Sequence, residues 1–306
     1  MLEIKNKSGK VDLASISVGE KIIGDVISDN DIYLTGGWLT ISNQTINAPN
    51  VFITGGSVYL SDGAKIDADL VNESGTLFVT GKSEVTGNYY ITSHDGTSHS
   101  NGYLRMTDEN GHLTVYGDFV MDSRHSHSSE LTNGVLEIKG DFTQKSTYSG
   151  NYSNFYASGT HKVVLSGSGE QVVSFEDPSY SHFNMLEITN IACVVFATAY
   201  KYNELQIIYP FDFDVAKYNA ETNQINVNVT IGEGLKNLNG NVIISLYDAN
   251  NKLIECRIKE LSELEPQTFN GLNDYDGSYI VKAFYWADMT SIKPLCPSIQ
   301  KELATN

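Results

Sequence analysis

Hydrophobic and polar residues alternate in short runs along the first 200 residues, and most of these runs stop at glycine. A period of two ended by a turn residue predicts short β-strands. The clearest pair is Ile32-Tyr33-Leu34-Thr35-Gly36-Gly37 and Val51-Phe52-Ile53-Thr54-Gly55-Gly56. The pattern continues through Leu77–Gly81, Leu113–Phe119, Leu136–Phe142, Val163–Gly167 and Leu186–Asn190. The central aliphatics Leu34, Ile53, Val79, Val115, Ile138, Leu165 and Ile188 are separated by 19, 26, 36, 23, 27 and 23 residues. Periods of about 20–50 residues mark repeat architectures, in which a unit that cannot bury its own apolar face shares a core with its neighbours. The expectation is an irregular parallel β-solenoid with those seven side chains in one shared core. A β-sandwich with ordinary hairpins is the competing fold. Of the 26 glycines, 21 precede residue 200, which places the corner-rich architecture there.

Beyond residue 200 glycine thins and the predicted strands lengthen, over 224–231, 241–247, 252–261 and 278–286. Asp248-Ala249-Asn250-Asn251 is turn chemistry and predicts a hairpin. The spacing fits an immunoglobulin- or fibronectin-like β-sandwich. Two domains are therefore expected, 1–200 and 201–306, with the boundary at 197–203. Apart from a short turn near 259–264, no helix is predicted.

The net charge of -17 argues against nucleic acid, whose phosphates need clustered Lys and Arg. Three cysteines, Cys193, Cys256 and Cys296, exclude a disulfide-rich scaffold; pairing of Cys256 with Cys296 stays open. No apolar run approaches the length of a membrane span. Met1-Leu2-Glu3-Ile4 lacks the apolar core of a signal peptide, and the expectation is a segment of a longer exported chain.

Candidate chemistry is sparse. All seven histidines fall between residues 94 and 182, and His125-Ser126-His127, with Asp122 and Glu130 near, has a spacing zinc can use. No convincing ligand completes that set, so neither a metal nor another cofactor is expected. Asp29-Asn30-Asp31 and Asp274-Tyr275-Asp276 are oxygen-rich turns without a full calcium loop. A polysaccharide lyase or glycoside hydrolase would need acidic groups such as Asp118, Asp122, Glu137 or Asp141. Asp118 and Asp141 occupy the same Gly-Asp-Phe slot, and a repeated slot points to a turn role. Glu137 alternates with Leu136 and Ile138 and should face solvent. The reading is therefore non-enzymatic, with no catalytic residue assigned. Tyr148, Tyr152, Phe155 and Tyr156, interleaved with Ser, Asn and Gly, form the candidate contact surface, because Tyr offers broad, stiff area among adaptable polar groups. Tyr89, Tyr90 and Tyr103 are candidate additions to it.

Two segments resemble large clostridial-type (Firmicute) surface and secreted multidomain proteins. Gly134–Lys145 with Asn154–Gly167, Ser174-Phe175 and Ser181–Ile188 is similar to a repeat region of that family. Val281-Lys282-Ala283-Phe284-Tyr285-Trp286, continuing to Ile292-Lys293-Pro294-Leu295, resembles the closing strand of its small sandwich modules. The resemblance implies an extracellular or cell wall-associated bacterial protein with a structural or adhesive role. The implied partner is a glycan, or a host or cell-wall protein. Carbohydrate binding through surface tyrosines is the alternative.

Overall fold

The computed structural model describes residues 24–150, 153–190 and 193–207, three short strands before them, and separate strand segments between 211 and 302. All described regular structure is β; no helix occurs among the described residues. Chain contacts divide the protein into two units, 1–188 with 194–207, and 189–193 with 208–306.

The first unit is a β-solenoid of stacked parallel coils. Each early coil contributes a strand to each of three faces. On the first face the inward ladder reads Val26, Ile46, Ile66, Val85, Val115, Ile138, Leu165 and Ile188, each the in-register parallel partner of the next, and Ile188 pairs in turn with position 207 of the last strand. These positions are 20, 20, 19, 30, 23, 27, 23 and 19 residues apart, so the coil is nearly regular until insertions lengthen it after Val85. The second face runs through Ile32, Val51, Leu70, Tyr89, Phe119, Phe142 and Val173. The third is a five-stranded parallel sheet from Glu20–Lys21 to Tyr103–Arg105. Past Arg105 that face is carried by loops touching at single parallel bridges, Met106 to Leu131 and Tyr156 to His182.

The seven aliphatics expected to share a core are all buried in one continuous cluster. They do not form a single column. Leu34 and Ile53 pair on the second face and Val79 pairs with Leu60 on the third, whereas Val115, Ile138, Leu165 and Ile188 stack on the first. Where the third face turns to loops, aromatic rings fill the core: Tyr89, Phe119, Phe142, Phe155, Phe175 and Phe183 are fully buried. Several meet edge to face, as Phe142 and Phe155 do at 4.9 Å and 82°, the arrangement favoured by the ring quadrupole.

The Gly-Asp-Phe slot now has a mechanical explanation. Its Phe is the second-face core residue. Its Gly stacks on the equivalent glycine one coil away: a Cβ on Gly140 would lie 2.5 Å from a backbone carbon of Gly117 and from Asp118 Oδ1. Close approach, rather than a left-handed backbone, therefore demands glycine here.

In the second unit, Phe211–Val215, Gln224–Ile231 and Gln267–Asn270 form an antiparallel sheet. A second antiparallel sheet has the order Leu253–Glu260, Asn241–Tyr247, Ile280–Trp286, Ile299–Glu302. The predicted hairpin is present: Asp248 Oδ1 accepts the N–H groups of Asn250 and Lys252, and Asn251 takes φ 59°. The first unit's last parallel strand, Glu204–Ile207, follows directly on the expected boundary at 197–203. No helix among the described residues is long and apolar enough to cross a membrane.

Candidate functional site

Most of the side chains singled out from the sequence bind one coil to the next. Asp69 Oδ1 accepts the Asn88 N–H at 2.7 Å, Asn88 Oδ1 that of Asp118 at 2.7 Å, Asp118 Oδ1 that of Asp141 at 2.8 Å, and Asp141 Oδ1 that of Val172 at 2.8 Å. The repeated slot is thus a corner device, as its repetition implied, but each side chain caps the backbone of the following coil rather than its own. Asp122 is buried and accepts from the Thr147 N–H and hydroxyl at 3.2 and 2.7 Å, fixing the start of the segment that carries Tyr148.

Glu137 does not simply face solvent. It is half-buried and accepts hydrogen bonds from His112 Nε2 at 3.0 Å, Ser166 Oγ at 2.6 Å and Lys139 Nζ at 3.1 Å. The His112 contact, with those of Ser166 and Lys139, holds its carboxyl far below the usual range against the opposing effect of burial. A carboxylate so firmly ionised carries no proton to give a leaving group. It borders a cavity of about 410 Å³ with Lys65, Lys82, Glu84, His112 and Thr114.

The histidines are dispersed. His127 is fully buried off any strand; its Nε2 accepts the Leu104 N–H at 3.1 Å and its Nδ1 donates to the His125 carbonyl at 3.1 Å. Neither nitrogen is left for a metal. Burial holds this imidazole down at about 4. His161 is likewise buried, with Nδ1 bonded to the Asn133 carbonyl at 2.8 Å, and burial again keeps it at about 4. His125 stacks on Tyr103 at 4.2 Å, outside the expected pair. Glu130 is engaged by Arg105 and Ser129. Among the described residues no cluster of three metal-ligating side chains forms. Asp274–Asp276 and Cys296 lie outside the described residues, whereas Cys256 is an exposed thiol.

The expected aromatic contact segment separates into two roles. Phe155 is wholly buried against Phe142, Phe119, Phe175 and Phe183 and cannot be a surface contact. Within Phe155-Tyr156-Ala157 the two flanking residues point inward and Tyr156 outward, and Asn154 is buried beside Phe155. Tyr89 likewise points inward, beside part-exposed Tyr90. Tyr152 lies outside the described residues. Tyr148 is half-exposed against His99, ring centres 4.9 Å apart.

Tyr156 belongs to a groove the sequence did not reveal. It is 38% exposed and meets His182 edge to face at 4.3 Å. On the adjoining coil Tyr200, Lys201, Tyr202 and Asn203 complete an open groove of about 640 Å³. Tyr202 is 41% exposed, and Tyr200 stacks on Phe196 at 3.7 Å. Backbone bonds hold these segments together: Phe183 N–H donates to the Lys201 carbonyl and Asn203 N–H to that of Asn184, each at 3.0 Å. Burial lowers His182, leaving Lys201 as the groove's formal charge at neutral pH. Tyr200–Asn203 fell inside the stretch read as a domain boundary, so no local pattern grouped it with Tyr156.

Fold and site together define an all-β protein built on a β-solenoid, with an aromatic groove along adjoining coils. Comparison with known proteins finds no matching family model, no similar curated protein and no similar solved structure.

Proposed function

We propose that this chain is a non-enzymatic structural and adhesive segment of a bacterial extracellular or cell-surface protein of the clostridial type. One observation carries the reading. The acidic residues that a lyase or hydrolase would require, Asp118, Asp122, Glu137 and Asp141, accept hydrogen bonds within the coil stack, the first and last of them in a corner series with Asp69 and the amide of Asn88. A general acid must instead keep a proton available near the working pH. Such stitching suits a stiff support that displays surface groups. The second unit is proposed as an immunoglobulin- or fibronectin-like sandwich; its two antiparallel sheets support that assignment. A glycan, or a host or cell-wall protein, is the proposed partner.

The test is incubation of the whole chain with a panel of neutral and uronate-bearing polysaccharides, measuring new reducing ends and unsaturated products. No turnover beyond a heat-killed control is expected. Turnover that disappears on replacing one of these acids by its amide would overturn the reading.

A further inference from the structure

We infer that the groove formed by Tyr156, His182, Tyr200 and Tyr202 binds a polysaccharide chain lying along the stacking direction of the coils. This deepens the adhesive reading above and rests on it. Tyr156 and His182 are partners in a parallel bridge, and the 200–203 segment is hydrogen-bonded to residues 183 and 184 just beyond His182. Its rings thus repeat from coil to coil, at the spacing of about 4.8 Å between neighbouring strands. A linear ligand can meet them in succession, and the groove's openness to solvent suits a chain rather than a single enclosed sugar.

The chemistry selects the ligand. A sugar ring has an apolar C–H face and a rim of hydroxyls, so its receptor needs exposed flat rings beside neutral donors and acceptors. Tyr156 and Tyr202 supply exposed rings, and Tyr180, 58% exposed, follows the lining residue Ser179. Asn203, Ser179 and the Lys201 ammonium supply the polar contacts, and among the described residues no carboxylate lines the groove to repel an acidic sugar. A nucleic acid offers stackable bases too, but its phosphates would meet one lysine on a chain of net charge -17. A purely apolar peptide would leave the polar lining unpaired.

The experiment is affinity electrophoresis of the whole chain in gels holding a neutral β-glucan or a polyuronate, preceded by a broad glycan array to choose further polymers. The parent should be retarded. Tyr156→Ala and Tyr202→Ala should each weaken binding about 5- to 150-fold, taking sugar stacking as comparable to base stacking. Melting should be unchanged, because both rings are substantially exposed. Tyr202→Phe keeps the ring and should bind within a few-fold of the parent, which separates lost stacking from a misfolded variant. Undiminished retardation of the Tyr156→Ala/Tyr202→Ala double variant overturns the groove but leaves adhesion in place through another surface. An empty array likewise overturns the groove, and capture by a cell-wall protein alone would then preserve only the adhesive reading. Cleavage of the polymer, with binding still dependent on both tyrosines, overturns the non-enzymatic reading and leaves the groove standing.

Discussion

Replacing Ile138 with Asp is expected to abolish cooperative folding of the coil unit. Ile138 has no exposed surface and stacks between Val115 and Leu165 in the first-face ladder. Its ladder neighbours Val115 and Leu165 are aliphatic and offer a carboxylate no side-chain donor, and burying an unpaired polar or charged group costs several kcal/mol or more. A domain's whole stability is about 5–15 kcal/mol, so the variant should lose much or all of it. Ile138→Val removes one methyl and should cost only about 0.5–1.5 kcal/mol. Urea unfolding followed by far-ultraviolet circular dichroism checks both. A cooperative Ile138→Asp variant within 1 kcal/mol of its parent (~1, on the scale of ordinary surface changes) would place residue 138 outside the core.

Mild acid should destabilise the coil through its two buried histidines. His127 and His161 are held at about 4 in the folded chain by burial. An unfolded imidazole titrates near about 6.5. As pH falls through that value the unfolded chain takes up the proton first, so stability is complete above about 6.5 and declines until the folded value near 4 is reached. Each group then contributes a loss of about 1.4 kcal/mol per pH unit, roughly 3 kcal/mol over the window. The neighbourhood of His127 modifies this modestly: the hydrogen bond to the His125 carbonyl and the Glu130 carboxylate favour the charged form, and the His125 ring opposes it. The lowered carboxyls of Glu130 and Glu137 act in the same direction but at lower pH, below their unfolded range near 4.5. Unfolding free energies between pH 7 and 4.5 (about the window above the carboxylates) isolate the histidines. A steep fall is expected, reduced clearly but by less than half in His161→Asn relative to its own value at pH 7, because burial also lowers His125 and His182. A flat profile would mean that these imidazoles are solvated.

Much of the coil was legible in the sequence because corners repeat. The repeated Gly-Asp-Phe slots marked a corner, but not that its glycine is required by close approach or that its Asp caps the next coil rather than its own. What the glycines could not convey was the face. All three corners of a coil end strands in similar chemistry, so Leu34, Val79 and Val115 looked equivalent although they lie on different faces. The candidate surface was half legible. The sequence reading placed Phe155 and Tyr156 together on the surface, because a stretch rich in Tyr, Ser and Asn carries no regular alternation: Asn154 and Phe155 are both buried. Tyr200 and Tyr202 join Tyr156 through parallel pairing between coils, a relation set by insertion lengths rather than by local pattern.

The central claim is that the acidic corner residues hold coil to coil, and Asp118 tests it most directly. Its Oδ1 accepts the Asp141 N–H, and an amide oxygen can do the same, as Asn88 does one coil earlier. Unfolding measurements on Asp118→Asn and Asp118→Ala should therefore separate. Asn is expected within about 0.5 kcal/mol of the parent. Ala, which leaves the Asp141 amide without its acceptor, should lose about 1–3 kcal/mol. Equal stability of all three proteins would contradict the account, since the carboxylate would then be free for some other task.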